Sequence, residues 1–391
     1  MTVERHDVVV AGAGLPGLAT ATALARAGLD VALADRAALA CALPDAPSWD
    51  PRVYAISPGS AAFLQRIGAW QHLPLDRMAA VESMSIEGDG GGALAFSAYD
   101  LGERALAWIV EERALRAALV QAAHAAGVAV RAPAAFEALT WSANDASIAL
   151  GDGTTLAAFL VVGADGLNSW VRRAAGLLAA PRAYAQTALV ATLGCDDAHH
   201  GCARQWFKVD GGVLAWLPLP GRRISIVWSA PDALADELRA LPPDGFAARV
   251  AAAGNVALGR LRLEGTVGAF PLQYLRLPTS VAHRLALVGD AAHGVHPLAG
   301  QGVNLGLGDA DALAAVIAER GPVADPGAPV LLTRYARRRA EPVMAMQAVT
   351  DGLARLFAVP TPWLRLLRNA GLSAVDRLPL VKRVLAQPAL R

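Results

Sequence analysis

The sequence of 391 residues predicts an α/β fold, in which a parallel sheet carries helices on its faces and a second, mostly antiparallel β domain is inserted. The first unit of the chain supports the parallel sheet. Residues 7–11 (DVVVA) are typical of a short buried strand, 15–27 of an alanine-rich helix that ends at Gly28, and 31–34 of the next strand. A strand, a glycine turn, a helix and another strand in this order indicate a βαβ unit.

A change of pattern predicts the inserted domain. Between residues 188 and 267, segments such as 213–217 (VLAWL) and 223–228 (RISIVW) are typical of strands in a separate, mostly antiparallel sheet. Residues 284–289 (RLALVG) then return to a buried strand of the parallel type, so the first domain is discontinuous in sequence. The chain also exceeds the roughly 250 to 300 residues over which one core keeps growing.

These patterns divide the chain into three parts. The expected parts are residues 1–72, 105–178 and 280–345 for the discontinuous domain with the parallel sheet, 73–104 and 179–279 for the inserted β domain, and 346–391 for a C-terminal helical segment. The last segment mixes apolar and basic residues, with seven basic side chains and one acidic side chain from Leu353 to Arg391. Such a segment can lie on an anionic membrane, mediate assembly in a complex, or pack on the body of the protein itself.

Composition and charge exclude several classes of protein. The formal net charge of +1 gives no ground for nucleic-acid binding by the whole chain. No stretch approaches the roughly 18 uninterrupted apolar residues of a membrane span, and the first residues do not resemble a secretory signal. The three cysteines form neither a C-x-x-C pair nor a dense disulfide framework. We therefore expect a cytoplasmic protein.

A glycine-rich loop follows the first predicted strand. Its residues are Gly12, Ala13, Gly14, Leu15, Pro16 and Gly17, which fit G-x-G-x-x-G in the context that the motif requires. The first glycine permits a tight turn, the second lets the backbone approach a pyrophosphate, and the third lets the helix pack on the strand. Asp35, at the end of the second strand, can accept hydrogen bonds from an adenosine ribose. The motif predicts a bound dinucleotide but does not distinguish FAD from NAD.

The most specific segment of the chain, residues 288–306, reads VGDAAHGVHPLAGQGVNLG. Asp290, at the end of a strand, can hydrogen-bond a polyhydroxylated chain such as ribityl. Gly300 and Gly302 allow backbone N–H groups to face a flat heteroaromatic edge at a helix start, where the helix dipole favours negative charge. Reduced flavin carries its negative charge at N1 and C2=O, so this second loop predicts FAD rather than NAD.

Together with residues 161–172 (VVGADGLNSWVR), the second loop resembles the paired DG and GD fingerprints of the class A flavoprotein monooxygenases, which share the para-hydroxybenzoate hydroxylase-like fold. Further segments resemble the ubiquinone-biosynthesis hydroxylase branch of that family. They are residues 50–57 (DPRVYAIS), 205–207 (QWF), 214–219 (LAWLPL), 334–339 (RYARRR) and 346–353 (MQAVTDGL). The resemblance implies a Rossmann-like domain that binds FAD non-covalently, with the inserted domain binding the substrate.

The resemblance also implies roles for individual residues. Asp35 and Arg36 would lie at the adenosine end of FAD, Arg52 near the phosphates or flavin, and Arg113 near the ribose and pyrophosphate. Asp165 and Gly166 would lie beside the pyrophosphate, and Asp290 on the ribityl chain. The residues that would line the isoalloxazine are Pro297, Gly300, Gln301, Gly302 and Asn304.

One departure from the family pattern is Asp35, because the family more often has Glu there. Helix capping is the alternative for the carboxylates at 165 and 290, and plain surface exposure is the alternative for the two arginines at 52 and 113.

The chemistry implied by the resemblance belongs to the cofactor. NAD(P)H docks transiently and reduces the flavin, the reduced flavin reacts with O2 at its C4a position, and one oxygen atom passes to an electron-rich aromatic ring. No side-chain nucleophile is needed, so no catalytic residue is assigned. The tryptophans of the inserted sheet (Trp206, Trp216 and Trp228) are interpreted as core, and His293 and His296 as stabilising the second loop rather than as metal ligands.

Other activities of the same fold stay open at the sequence level. One is a flavin reductase or a halogenase, although the W-x-W-x-I-P motif of halogenases is replaced by residues 215–218 (AWLP). Another is a non-catalytic subunit of a quinone-biosynthesis complex. The completeness of both glycine loops favours an enzyme, namely a hydroxylase that acts on a prenylated phenol in ubiquinone biosynthesis, in the cytoplasm or peripherally at the inner face of the membrane.

Overall fold

The structure is a computed structural model, and it describes residues 2–39, 48–208, 212–321, 325–359 and 361–390. The strands of the described residues are β1 (Thr2–Ala11), β2 (Val31–Ala34), β3 (Val53–Ile56), β4 (Ala79–Val81), β5 (Ser83–Glu87), β6 (Ala93–Ser97), β7 (Ala107–Glu111), β8 (Ala129–Arg131), β9 (Phe136–Trp141), β10 (Ala146–Leu150), β11 (Thr154–Gly163), β12 (Arg182–Cys195), β13 (Cys202–Phe207), β14 (Val213–Leu219), β15 (Arg223–Pro231), β16 (Leu261–Arg276), β17 (Val281–Ala282), β18 (Leu285–Leu287) and β19 (His293–Gly294). The helices are α1 (Leu15–Arg26), α2 (Pro58–Arg66), α3 (Ala98–Leu101), α4 (Glu112–Ala125), α5 (Trp170–Ala174), α6 (Asp232–Ala240), α7 (Pro243–Ala253), α8 (Gly302–Ala318), α9 (Pro329–Ala358), α10 (Pro362–Asp376) and α11 (Pro379–Leu390).

The first sheet is built on five parallel strands in the order β18, β11, β1, β2 and β8. Its central strands are continuous apolar runs because both of their faces are covered, as in other parallel sheets. The alanine-rich helix α1 packs closely against α8 and α4 over this sheet. The predicted βαβ unit and the return of the chain at residues 284–289 are therefore confirmed.

An antiparallel hairpin extends the first sheet at the β11 edge. Strand β9 pairs with β10, and β10 pairs with the first half of β11. The turn between β10 and β11 contains Gly153, whose φ of +84° an L side chain rarely adopts. Residues 151–153 therefore form a hairpin turn.

The inserted domain is an eight-stranded sheet in the order β19, β16, β12, β15, β14, β13, β5 and β6. All its strand pairs are antiparallel except β13 with β5. Helices α6 and α7 cover one face, and their apolar residues share a core with Trp206, Trp216 and Trp228. These tryptophans are buried, so their interpretation as core residues is confirmed.

Two features join the domains. Strand β19, in the second glycine loop, pairs with the end of β16, which ties that loop to the inserted sheet. Helix α9 runs without a break across the predicted boundary between residues 345 and 346. Its first half touches the parallel sheet through Tyr335, whose hydroxyl donates to the carbonyl oxygen of Leu287 at 2.8 Å. Its second half touches the inserted sheet through Gln347, whose Nε2 donates to the carbonyl oxygen of Leu275 at 2.7 Å.

The remaining elements complete the periphery. A small three-stranded sheet of β3, β7 and β4 brings residues 53–56 into contact with the start of α8. Helices α10 and α11 follow α9 and pack against each other, and α10 also packs on β6. Among the helices that the structure describes, none combines the length and the apolar character needed to cross a bilayer.

Candidate functional site

Four parallel strands end at one edge of the first sheet, and each is followed by a residue that the sequence singles out. Gly12 follows β1, Asp35 follows β2, Asp165 comes just after β11, and Asp290 comes just after β18. Ligands of open α/β sheets bind outside the carboxyl ends of the strands. The fold thus brings segments from both ends of the sequence to the edge where a dinucleotide is expected.

The glycines of the first loop are needed for different reasons. Gly12 has a φ of +111°, and a Cβ atom there would lie 2.4 Å from the carbonyl oxygen of Ala164. A Cβ atom at Gly17 would lie 1.9 Å from the carbonyl oxygen of Gly12. Gly14 has an ordinary φ of −67°, and a Cβ there would meet no atom closer than 4.0 Å. The space beside Gly14 is open at the start of α1, where a pyrophosphate would approach the helix N-terminus.

Asp35 holds the first loop in place. Its Oδ2 accepts a hydrogen bond from the backbone N–H of Ala13 at 2.5 Å, and its Oδ1 accepts one from Ala37 at 2.7 Å. Each carboxylate oxygen has a second lone pair, so Asp35 keeps acceptor capacity for ribose hydroxyls. The side chain of Arg36 is exposed beside it. The shorter acid that departs from the family pattern therefore reaches the loop directly.

Arg116 is a residue of this region that the sequence interpretation missed. Its Nη1 donates to the carbonyl oxygen of Ala13 in the first loop at 3.0 Å. Its Nη2 donates to Oε1 of Glu112 at 2.9 Å, and Oε2 of Glu112 pairs with Nη1 of Arg52 at 3.3 Å. The available signal was the spacing of Glu112 and Arg116, one turn apart on one face of α4, but no local motif connects that face to the loop.

Arg113 has partners away from the first loop. Its side chain donates to Oε1 of Glu111 at 3.1 Å and to the carbonyl oxygen of Ser48, and its backbone N–H donates to Oδ2 of Asp50 at 3.1 Å. Glu111 is fully buried and also binds Arg77, with Nε and Oε2 2.6 Å apart. Arg113 thus fastens the chain before β3 to the start of α4, and its contact with FAD stays a prediction.

Asp165 caps α5. Its Oδ1 accepts from the hydroxyl of Ser169 at 2.5 Å, and its Oδ2 accepts from the backbone N–H groups of Trp170 and Val171 at 2.6 and 3.1 Å. Among the described residues, Asp165 therefore acts as a cap of α5, which is the alternative role that the sequence left open. Its backbone still borders the first loop, because a Cβ atom at Gly12 would lie 2.6 Å from the nitrogen of Asp165. Gly166 follows with a φ of +81°.

The two glycine loops touch each other through Pro16. A Cβ atom at Gly289 would lie 2.9 Å from Cγ of Pro16, and one at Gly306 would lie 2.7 Å from the same atom. Gly289 also has a φ of +60°. Glycines at 289 and 306 are therefore required for the first turn of α1 to pack against the second loop and α8. The loops form one continuous surface, although they lie far apart in sequence.

Asp290 directly follows Gly289 at this junction. Its carboxylate is densely surrounded by protein yet remains accessible, and it accepts no hydrogen bond from any residue that the structure describes. Desolvation by its surroundings raises the pKa of Asp290, while the nearby charges of His293 and Arg52 act in the opposite direction. Tyr54 lies close to both Asp290 and Arg52, and burial raises the pKa of its hydroxyl. An accessible carboxylate with no hydrogen-bond partner among the described residues suits a ligand that donates hydroxyl groups.

A buried ionic network holds the second loop from behind. Oδ2 of Asp309 accepts from the backbone N–H of Gly289 at 2.9 Å and lies 2.6 Å from Nε2 of His293, and its Oδ1 accepts from Nε of Arg339 at 2.6 Å. Burial alone would raise the pKa of Asp309, but the charges of His293 and Arg339 lower it. Burial alone would lower the pKa of His293, but the Asp309 carboxylate raises it. His293 therefore stabilises the loop, as predicted.

The start of α8 carries the residues expected along the isoalloxazine. Asn304 links it to β3, because its Nδ2 donates to the carbonyl oxygen of Ala55 at 2.8 Å and its Oδ1 accepts from the backbone N–H of Ser57 at 3.0 Å. Gln301 is buried beside it. Gly302 begins the helix, and a Cβ there would meet nothing closer than 3.8 Å. The helix N-terminus is thus positioned with open space before it. Pro297 precedes it in a short turn that includes Gly300, which has a φ of +63°.

His296 joins the second loop to the inserted sheet. Its Nε2 lies 2.9 Å from Oε1 of Gln186, and its ring stacks edge-on against Tyr184, with the centroids 4.9 Å apart. Burial lowers the pKa of His296 to about 4, although the Asp351 carboxylate acts in the opposite direction. The imidazole is therefore neutral near pH 7, and its Nδ1 can accept from the backbone N–H of Leu298 at 3.3 Å. This histidine also stabilises the loop, as predicted.

The properties of these residues match the chemical groups of FAD. Gly14 and Gly302 leave open space at the starts of two helices whose N–H groups favour negative charge. The carboxylate of Asp290 is accessible and has no hydrogen-bond partner among the described residues, and the charge of Arg52 acts on it. FAD has groups that suit each of these features, namely the negative charges of its pyrophosphate and its reduced flavin and the hydroxyl groups of its ribityl chain.

Comparison with known proteins agrees with this geometry. Residues 5–350 match the model of a family described as an FAD binding domain. The chain is 38% identical to the ubiquinone hydroxylase UbiL of Rhodospirillum rubrum, covering 98% of this chain and 89% of the relative. It is 33% identical to the 3-demethoxyubiquinol 3-hydroxylase of Escherichia coli, covering 100% of both. The fold matches p-nitrophenol 4-monooxygenase PnpA from Pseudomonas putida, with a TM-score of 0.79 and 20% identity over 100% of this chain and 99% of that chain. The chain therefore belongs to this FAD-binding family and, within it, to the ubiquinone-biosynthesis hydroxylase branch of the class A FAD-dependent monooxygenases.

Proposed function

We propose that this protein is an FAD-dependent aromatic hydroxylase that uses NAD(P)H and O2 to add one oxygen atom to a prenylated phenol in ubiquinone biosynthesis. The observation that carries the proposal is the meeting of the two glycine loops around Pro16, with the accessible carboxylate of Asp290 beside them. The names of the relatives support the substrate class, because one is a ubiquinone hydroxylase and another a 3-demethoxyubiquinol 3-hydroxylase. NAD(P)H docks transiently in this proposal.

FAD, when bound, supplies the redox and oxygen-transfer chemistry, and the chain supplies binding and electrostatics. Gly14 admits the pyrophosphate to the start of α1, and Asp290 accepts hydrogen bonds from the ribityl hydroxyls. The N-terminus of α8 at Gly302 stabilises the negative charge that a reduced flavin carries. Asn304 fixes this helix start to β3, so the N–H groups keep their direction during turnover.

The substrate ring would lie between the second loop and the inserted sheet. This sheet contacts the loop through the β16–β19 pairing and through the edge of His296 against Tyr184 on β12. Strands that reach the loop directly can position a ring near the flavin and exclude water from it. The buried tryptophans belong to the sheet's other core, with α6 and α7, so we do not assign them to the substrate.

A prenylated phenol partitions into a bilayer, which bears on where the enzyme works. We propose a cytoplasmic enzyme that is peripheral at the inner face of the membrane, through its basic C-terminal segment. Association with a biosynthetic complex through the same segment is the competing arrangement. Both arrangements deliver a water-insoluble substrate to an enzyme that stays outside the bilayer.

The test follows oxygen atoms. Purified, FAD-loaded enzyme is supplied with NAD(P)H, 18O2 and prenylated phenols of the ubiquinone type, and products are analysed by mass spectrometry. We expect one 18O atom in the hydroxylated ring and none when the label is in water instead. Consumption of NAD(P)H with no labelled product from any phenol would identify a flavin reductase. Protein that takes up no FAD at all would favour a non-catalytic subunit.

A further inference from the structure

The inserted sheet has a second face, opposite to the one that α6 and α7 cover. Successive side chains of a strand point to opposite faces of its sheet. On β15, residues 224, 226 and 228 belong to the core with α6 and α7, so Ser225, Val227 and Ser229 point the other way. Ala215 of β14 lies opposite Val227, and Thr192 of β12 lies opposite Ser225. Strands β12, β14 and β15 therefore share this surface, which is called the second face below.

The second face is covered at both ends of β14 and is accessible between them. At one end Leu219 packs in a cluster with residues of β3 and β7, and at the other end Val213 packs with Leu298 of the second loop. Between these ends Ala215 and Val227 are only half-buried, although β14 and β15 lie in the interior of the sheet. Accessible side chains on interior strands of a sheet indicate that the middle of this face is open, as a ligand site requires.

Polar side chains lie around this open part, and they have no hydrogen-bond partner among the described residues. Gln205 of β13 lies in the same cross-strand row as Val227, and Ser229 lies two residues beyond Val227 on β15. The side chains of Gln205 and Ser229 are buried and bond to no residue that the structure describes. The hydroxyls of Ser225 and Thr192 are likewise buried without a described partner. Buried polar groups nearly always have a partner, so four such groups around one open area indicate a ligand that supplies the missing hydrogen bonds.

The chemistry of these four groups indicates what kind of ligand they bind. All are uncharged, and hydroxyl and amide groups can both donate and accept hydrogen bonds. Arg223, two residues before Ser225, adds no free charge, because its Nε donates to Oε2 of Glu264 at 2.7 Å. Uncharged donors and acceptors beside the small apolar side chains of Ala215 and Val227 suit a flat aromatic ring with hydroxyl or ether oxygens at its edge.

Two of the four polar side chains can reach a ligand directly. Gln205 and Ser229 keep 6% and 3% of their surface accessible, whereas Ser225 keeps none. Ser229 also lies opposite Val213, which packs with Leu298 of the second loop. A ring bound at Ser229 is therefore close to the loop that is proposed to line the flavin.

We propose that Gln205 and Ser229 hydrogen-bond the oxygen substituents of the substrate ring and thereby determine which rings the enzyme accepts, while Ala215 and Val227 contact the face of the ring. The inference rests on the proposed function and deepens it, because it names the side chains that recognise the substrate. A ring without oxygen substituents leaves both polar side chains buried and unbonded, so it binds more weakly.

Binding of two probes to the FAD-loaded enzyme, in the absence of NAD(P)H, tests the proposal. One probe is a methoxyphenol with a prenyl group of a single isoprene unit, and the other is the matching prenylbenzene, which has no ring oxygen. Equilibrium dialysis gives their dissociation constants, and we expect wild type to bind the phenol more tightly. Ser229→Ala and Gln205→Met should each raise the dissociation constant of the phenol about 3- to 10-fold, and that of prenylbenzene less than about 2-fold. The double variant should bind both probes with nearly equal affinity.

A measurement of stability separates recognition from a structural role. Neither side chain has a partner among the described residues, so Ser229→Ala and Gln205→Met should not lower the midpoint of urea unfolding of the enzyme without probe. Ser147→Ala is the control, because the hydroxyl of Ser147 lies 2.8 Å from Oγ1 of Thr140 in the hairpin of the first sheet. This control should leave the affinity for both probes unchanged.

The outcomes distinguish this inference from the proposed function. A double variant that discriminates between the probes as wild type does, or that loses discrimination only together with a lower urea midpoint, would overturn the inference alone. Wild type that binds neither probe would overturn the proposed substrate class and this inference with it. Wild type that prefers the phenol through Gln205 and Ser229 but yields no labelled product would support the inference and contradict the hydroxylase proposal.

Discussion

At the scale of single residues, the site is organised by what surrounds each charge. Asp290 is accessible and has no hydrogen-bond partner among the described residues, whereas Asp309, farther along the chain on α8, binds Gly289, His293 and Arg339. The accessible Asp290 is suited to bind a ligand, and the fully paired Asp309 is suited to hold the second loop in position. The sequence alone could not distinguish these two carboxylates, because the difference comes from His293 and Arg339 arriving from elsewhere in the fold.

His296 gives the loop a dependence on pH. Its pKa falls from 6.5 to about 4 in the folded protein, so the unfolded chain binds a proton that the folded chain rejects between these values. The neutral imidazole therefore stabilises the fold to its full extent above pH 6.5. The free energy of unfolding decreases as the pH falls from 6.5 toward 4, because in that range the unfolded chain is protonated and the folded chain is not. The shift corresponds to about 3 kcal/mol.

We therefore expect the stability of His296→Gln to depend less on pH between pH 7 and 4 than that of wild type. Midpoints of urea unfolding, followed by tryptophan fluorescence between pH 7 and 4, should drop more steeply for wild type than for His296→Gln. His124→Gln, which changes an exposed histidine on α4, is the control and should follow wild type. Parallel curves for wild type and His296→Gln would contradict the assignment of this histidine.

At the scale of elements, α8 and α9 act as one support for the second loop. Arg339 on α9 reaches across to Asp309 on α8, and its Nη2 also donates to the carbonyl oxygen of Leu305 at 3.1 Å. Tyr335, one turn earlier, holds the end of β18 through Leu287. The loop that bears Asp290 is thus positioned by a helix that comes after it in the chain.

Removing the carboxylate of Asp309 should show that the second loop depends on α8 and α9 for its position. Asp309→Ala leaves the buried His293 and the half-buried Arg339 without their partner, and breaking a buried ion pair typically costs about 3 to 5 kcal/mol. We expect a lower urea midpoint and weaker FAD retention in the same variant. Asp311→Ala is the matched control two residues away, because Asp311 is exposed and pairs with Arg66 at the surface. It should change stability by less than about 1 kcal/mol. Equal effects of the two substitutions would refute the supporting role.

At the scale of the whole molecule, the sequence predicted what local patterns encode. The glycine loops can be recognised in the sequence because their backbone geometry requires glycine at fixed spacing, as at Gly12 and Gly17. The contact of Arg116 with the first loop, the parallel pairing of β13 with β5 and the passage of α9 through the boundary at 345 were not predicted. Each depends on partners distant in sequence, which no local spacing specifies.

The same limit applies to the C-terminal segment. Its mixture of apolar and basic residues was compatible with packing on the protein, binding a membrane or assembling with partners. Arg368 and Asn369 assign one side of α10 to packing, through the turn at Asp89. The other side remains apolar and exposed, which is a property of helix orientation and not of composition.

The central claim is that both glycine loops hold the same FAD, and an equilibrium titration of apoprotein with FAD tests it most directly. Gly14→Ala and Asp290→Ala alter the two loops at positions where no described neighbour needs the native side chain for packing. We expect each to raise the FAD dissociation constant at least ~10-fold, by losing an approach to the pyrophosphate or a hydrogen-bonding carboxylate. Urea midpoints of the apoproteins should stay at the wild-type value. Wild-type FAD affinity in either variant would contradict the claim.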